Sequence, residues 1–332
     1  MLKRGALALA MMATVTAGAA MPAFAQDTDL ASLTGSIESD GSSTVGPITQ
    51  AVAEEFNAAA PDVEIAVAVS GTGGGFERFC AGETDVQNAS RPIEDDEVAL
   101  CAENGVDYYE FEVAFDGLTV VVNEGNTFLD CLNTEALRLL WQEESPATTW
   151  AELNAEFPAD TIALYGPGTD SGTFDYFVET ILGEDGAIRQ DFSPSEDDEV
   201  IVNNVANDVN GLGYFGYAFF AENEDTLNAV AVDGGAGCVA PSPETIRDGS
   251  YAPLSRPLYV YIKAESLERP EVQEFMRFYI ENAGTLVESV GFVASPDDVY
   301  AADSTKLEDA VSGAAAPDGP AGADEAEATP AS

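Results

Sequence analysis

Residues 70–93, SGTGGGFERFCAGETDVQNASRPI, limit what this chain can fold into more than any other stretch. Residues 63–69 before it alternate and are β-branched, which is strand chemistry. Ser70, Gly71, Thr72, Gly73, Gly74 and Gly75 then strip side chains from a turn, and Phe76 and Phe79 begin a helical apolar face. A helix that opens on bare backbone presents free N–H groups and the positive end of its dipole, which suits an oxyanion. Arg91 ends the stretch with a fixed positive charge able to fork onto such an anion. A turn that merely needs glycine would look the same locally.

The same unit occurs three times. LTGSIES at 33–39 reads as a strand, DGSSTVGP at 40–47 as a turn, and Ile48, Val52 and Phe56 as one helical face with Pro47 at its first turn. TIALY at 161–165 runs into GPGTDSGTFDYFVETIL, where Phe174, Phe177, Val178 and Ile181 form an apolar stripe. Between the units, residues 108–114 and 117–123 read as two strands, the second of the buried, parallel type, with a crossing between domains near 115–118. Residues 196–210, 271–281 and 283–289 read as helices. GLGYFGYAFF at 211–220 reads as core strand, with Tyr214 and Tyr217 in packing roles, and SRPLYVYI at 255–262 as a strand returning the chain to the first domain. Alternating strands and helices call for sheets covered on both faces, and ligands of such sheets bind beyond the carboxyl ends of strands, where all three turns lie.

The chain's margins are informative. Lys3 and Arg4, the apolar run 7–20 and Ala23-Phe24-Ala25 make a secretory leader over 1–25, with cleavage before Gln26. From residue 312 the composition is nearly all small or acidic, which predicts a disordered tail over 312–332. With 12 Lys and Arg against 60 Asp and Glu, nucleic acid and anionic membrane are excluded as partners. Four cysteines, Cys80, Cys101, Cys131 and Cys238, in an exported chain imply two disulfides with three possible pairings; Cys80 with Cys101 is the local choice and leaves Cys131 with Cys238. Without histidine or a C-x-x-C spacing, a metal site is not expected.

DGSSTVGP, the stretch at 70–93 and GPGTDSGTFDYF together resemble the three binding segments of the periplasmic phosphate-binding proteins of the high-affinity phosphate ABC transporter, over about residues 33–295. The resemblance implies an α/β, two-lobed periplasmic binding protein of type II, each lobe a mostly parallel sheet flanked by helices, with two chain crossings as hinge. It places lobe 1 at 33–115 plus 259–308 and lobe 2 at 116–258. It implies phosphate contacts from Thr44 and Val45, with Ser43 adjacent, from Thr72 and Gly73, and from Ser171, Gly172 and Thr173. Two departures stand out: better-known members carry an aspartate where this chain has Arg91, and an arginine where it has Pro167. Arg91 is therefore the expected guanidinium, with Arg78 as substitute. Asp170, Asp175 and Asp40 are the candidates to accept a phosphate proton. The expected partners are inorganic phosphate and the membrane permease of an ABC importer; no cofactor is expected, and the protein is expected to be a periplasmic monomer without enzymatic activity. Receptors for sulfate, molybdate or tungstate, an adhesive or sensory protein keeping the fold, and a secreted phosphatase with Ser171 as nucleophile are the alternatives. The last lacks a histidine base.

Overall fold

The computed structural model describes residues 28–169, 171–183 and 186–320, so the expected leader over 1–25 and residues 321–332 lie outside it. The first half runs β1 (Gly35–Gly41), α1 (Gly46–Ala59), β2 (Val63–Val67), α2 (Thr72–Cys80), β3 (Val86–Ala89) and α3 (Asp95–Asn104) into the long strand β4 (Tyr108–Asn123). The second half comprises β5 (Cys131–Asn133), α4 (Thr134–Trp141), α5 (Trp150–Leu153), β6 (Ala163–Pro167), α6 (Gly172–Phe177), β7 (Ser193–Ser195), α7 (Asp198–Ala206), β8 (Gly211–Gly216), α8 (Tyr217–Ala221), β9 (Leu227–Ala229), β10 (Ala231–Asp233), β11 (Cys238–Val239) and α9 (Pro243–Arg247). The chain then returns through β12 (Ser255–Lys263), α10 (Pro270–Ser289), β13 (Val293–Ala294) and α11 (Asp297–Ser312).

The main sheet has the order β2-β1-β3-β12-β4-β8-β6-β7, and a small second sheet the order β11-β10-β5. Strands β1, β2 and β3 are mutually parallel, as are β6, β7 and β8. Between these two parallel groups lie β12 and β4, antiparallel to each other and to their outer neighbours. The buried apolar residues divide at the same place. Ile37, Phe56, Phe111, Ala114 and Leu258 belong to one cluster, and Phe115, Leu118, Trp141, Tyr214 and Leu254 to another. Helix α1 buries Ile48, Val52 and Phe56, the face its periodicity predicts, and the Phe56 ring meets Phe275 edge-on at 5.5 Å.

Several sequence expectations change. The strands expected at 108–114 and 117–123 are one continuous strand, because β12 pairs with both Asp116 and Gly117 and carries the ladder through the expected break. Its second half is antiparallel to β8 and β9, not parallel; a strand buried on both faces reads the same in either pairing. The helices expected at 271–281 and 283–289 are one, since Ala283 and Val287 are buried on the face that α10 already uses. Residues 217–221 continue β8 as a helix rather than a strand. Disulfides join Cys80 to Cys101, tying α2 to α3, and Cys131 to Cys238, tying β5 to β11.

Residues 313–320, assigned by composition to a disordered tail, instead lie along the edge of β4. The Tyr108 N–H donates to the Gly319 carbonyl at 2.8 Å, the Asp318 N–H to the Tyr108 carbonyl at 2.9 Å, and the Glu110 N–H to Asp318 Oδ2 at 2.8 Å. Strand groups without a neighbouring strand need such partners. Lys306 pairs with Asp318 at 2.6 Å beside this strap. Asp303 sits beneath, buried, and its Oδ2 has no hydrogen-bond partner among the described residues. Burial pushes its carboxyl up to about 7; Lys306 opposes the shift, and Glu112, Asp318 and Glu110 add to it.

An acid raised in the folded state binds protons that the unfolded chain releases, so this contribution is complete below about pH 4 and is lost as pH rises through about 7. Asp303→Asn is expected to raise stability at about pH 8 by about 1–3 kcal/mol and to flatten the slope between about pH 4 and 7. Urea unfolding of both proteins across that range checks it. Parallel pH profiles would contradict the assignment.

Candidate functional site

The three turns converge. Each begins where a strand of a parallel group ends; the two groups run in opposite directions along β4, so their carboxyl ends face each other near residues 115–118. In the first, the Thr44 N–H donates to Ser42 Oγ at 3.1 Å and the Gly46 N–H to the Ser42 carbonyl at 2.9 Å, which winds the chain into α1. In the second, Gly71 adopts φ 80°, a left-handed conformation that a side chain would strain, and its N–H donates to the Gly41 carbonyl at 2.9 Å. Thr72 Oγ1 lies 3.0 Å from Ser90 Oγ and accepts the Ser90 N–H at 3.2 Å, so Ser90 joins this turn. In the third, Ser171 caps α6 by accepting the Thr173 N–H at 3.2 Å.

The first and third turns touch across the two halves. A Cβ on Gly172 would come within 2.7 Å of Thr44 Oγ1 and 2.9 Å of the Thr44 nitrogen, so only glycine permits this approach. Ser43 Oγ lies 3.5 Å from Asp175 Oδ2 beside it. The result is a cavity of about 400 Å³ lined by Ser42, Ser43 and Thr44, by Gly71, Thr72 and Gly73, by Ser90, Arg91 and Glu94, by Gly172, Asp175, Tyr176 and Glu179, and by Arg256.

Among the expected residues, Ser43, Thr44, Thr72, Gly73, Arg91, Gly172 and Asp175 line this cavity, while Val45, Ser171 and Thr173 do not. The Val45 side chain is fully buried in the first core, and Ser171 and Thr173 serve the cap of α6. Asp170 lies outside the described residues. Asp40 is corrected: it is buried, accepts the Gly41 N–H at 2.7 Å and pairs with Arg78, so both are spent in a structural ion pair behind the turn. Tyr214 is fully buried, with its ring stacked on Phe177 at 4.0 Å, and belongs to the core.

Arg91 is present but committed. Its Nη1 and Nη2 donate to the two oxygens of Glu97 at 2.8 Å each, and its Nε lies 3.1 Å from Glu94. Glu97 belongs to the capping box of α3, which holds the carboxylate in place for the pair.

A second guanidinium, absent from the sequence expectations, enters from β12. Arg256 stands opposite Asp116 in the β12–β4 register. Its Nε and Nη2 each lie 3.3 Å from Asp116 Oδ2, and its Nη2 donates to Thr44 Oγ1 at 3.0 Å. Its Cζ lies 3.6 Å from the centre of the Tyr176 ring. Asp116 is 1% exposed; burial pushes its carboxyl up, and the charge and hydrogen bonds of Arg256 offset part of that. Burial likewise raises the Asp175 carboxyl, with Ser43 and Arg256 opposing. The signal for Arg256 was available: in a chain with 12 basic residues, one sits at the returning crossing and a carboxylate at the outgoing one. Ser90, next to Arg91, carried no comparable mark.

The site is thus a nest of hydroxyls and helix-start N–H groups with two guanidiniums, each held by carboxylates, and further carboxylates at its wall and rim. Donors of this kind match the oxygens of a small oxyanion, and the carboxylates match a guest that still carries a proton.

Comparison with known proteins follows the same line. Residues 24–283 match the family described as PBP superfamily domain. The protein SphX of Synechocystis is 46% identical over 80% of this chain and 80% of its own. The phosphate-binding protein PstS of Staphylococcus saprophyticus is 41% identical over 83% and 86%. The crystal structure of a possible phosphate binding protein from Planctomyces limnophilus is 47% identical, with a TM-score of 0.80, covering 84% of this chain and 99% of that one. A putative phosphate ABC transporter substrate-binding protein from Clostridium perfringens, solved with bound phosphate, is 26% identical with a TM-score of 0.54, covering 79% of this chain and all of that one. The chain belongs to the PBP superfamily and, within it, to the family of phosphate-binding proteins that these relatives represent.

Proposed function

We propose that this chain is an exported receptor that captures inorganic phosphate in the cavity between its halves and delivers it to an ABC-type importer. The family is one of solute-binding receptors. The observation that carries the reading is the meeting of Arg256 and Thr44 at the joint of the three turns. Phosphate enters while the halves stand apart, and closure about 115–118 and 255–260 brings Gly172 onto Thr44. The oxyanion receives hydroxyls of Ser43, Thr44, Thr72 and Ser90, N–H groups of the first and second turns, and the guanidinium of Arg256. Arg91, held by Glu97 and Glu94, borders the cavity without supplying the central charge. The leader expected over 1–25 supports a periplasmic place for the receptor, which we take to act as a monomer; among the described residues no helix is long and apolar enough to cross a membrane.

Among the described residues, Asp175 is the expected acceptor that lines the cavity, next to Ser43. It accepts a proton that phosphate carries at neutral pH and sulfate lacks, so an ionised dianion without a proton meets a carboxylate it cannot satisfy.

Two measurements follow. In calorimetric titration with phosphate, Arg256→Ala is expected to weaken binding by about 10- to 100-fold, the worth of a charged hydrogen bond, and Arg91→Ala by distinctly less. The opposite order would return the central role to Arg91. Sulfate is expected not to displace phosphate from the native protein, and Asp175→Asn is expected to bring the two affinities together. If native protein takes sulfate as tightly as phosphate, another oxyanion is the cargo.

A further inference from the structure

Arg256 has two edges and two faces, and the structure shows which are occupied. The Nε–Nη2 edge is taken by Asp116 Oδ2, at 3.3 Å from each nitrogen, and Nη2 also donates to Thr44 Oγ1 at 3.0 Å. One face lies on the Tyr176 ring, with Cζ 3.6 Å from the ring centre. Nη1 has no hydrogen-bond partner among the described residues. The ring itself is fixed. Tyr176 is 5% exposed, and its hydroxyl donates to the Pro253 carbonyl at 2.8 Å, in the segment that leads into β12.

We propose that Tyr176 is a positioning residue for the anion: its ring holds the Arg256 guanidinium in one plane, so that Nη1 is the nitrogen presented to the guest. This rests on the phosphate reading of the same cavity. The edge contacts are long for charged hydrogen bonds and share a single carboxylate oxygen, so alone they leave the guanidinium free to rock about its terminal bonds. A ring face beneath it removes that motion and adds the attraction of a cation for a π-system in a partly dry site. A recognition nitrogen that is already aimed loses less freedom when the anion arrives. Tyr176 also lies on α6, the helix that brings Gly172 onto Thr44 and Asp175 to Ser43. The plane of Arg256 is therefore set by one half while its Nη2 bonds a hydroxyl of the other, and Nη1 is fully aimed in the closed arrangement.

Phosphate titration of the full mature chain and its Tyr176→Phe, Tyr176→Leu and Tyr176→Met variants tests this. Phe keeps the ring and loses the hydroxyl; Leu and Met keep apolar bulk and lose the face. Leu is expected to weaken phosphate binding about tenfold, and Phe to recover most of that loss, within about threefold of native. The Arg256 Nε–H signal in ¹⁵N-resolved NMR is expected upfield in native and Phe proteins and at an ordinary position in Leu. Thermal unfolding confirms that each variant is folded, and Met takes the place of Leu should Leu not fold. Native-like affinity in folded Leu or Met protein, or an equal loss in Phe and Leu, overturns the proposal. Native protein that takes up no phosphate contradicts the receptor reading instead.

Discussion

The Asp116–Arg256 pair is the constraint on which the rest of this site depends. Both residues lie on the strands shared by the two halves, directly opposite each other in the register. Placing a carboxylate at 1% exposure is costly, and a buried ion pair of this geometry does not repay its desolvation by Coulomb attraction alone. Its value is positional. A charge fixed on the strands shared by both halves sits at the cavity wall, with turns of both halves against it. Tyr176 meets it at one face and Thr44 at one edge, each from a different half of the chain.

This arrangement also answers an electrostatic difficulty. A chain with 60 acidic and 12 basic residues repels an approaching anion at long range. Screening confines that repulsion to about 8–10 Å at moderate ionic strength. Inside the cavity the balance is local: hydroxyls, helix-start N–H groups and the Arg256 guanidinium act at short range, where screening is weakest. Both cavity arginines are matched by carboxylates, Arg91 by Glu94 and Glu97 and Arg256 by Asp116. The cavity therefore relies on directed hydrogen bonds more than on net charge. On the reading proposed above, such a site discriminates by where protons are, which is the difference between phosphate and sulfate.

What the sequence disclosed was local. The strand–turn–helix units are legible because hydroxyls, glycines and the following apolar face lie within one short window, and Ile48, Val52 and Phe56 identify the buried side of α1 without any long-range information. The resemblance of three such windows to one family carried the fold. What stayed hidden depends on register. Arg256 and Asp116 are 140 residues apart; each sits at a chain crossing, but that the two face each other follows only from the strand register. Asp116 and Gly117 look like an interruption until β12 is laid beside them. Asp40 looks like a turn residue, yet it pairs with Arg78 behind the turn. The strap at 313–320 has a disordered composition but supplies groups that the open edge of β4 needs.

A crystal structure of the mature protein grown with phosphate tests the central claim most directly. The account predicts one tetrahedral anion enclosed by the three turns, with an oxygen within hydrogen-bond distance of Arg256 and with Arg91 still paired to Glu97. An anion seated on Arg91 with Arg256 turned away, or turns that leave the anion open to solvent on separate faces, would contradict it.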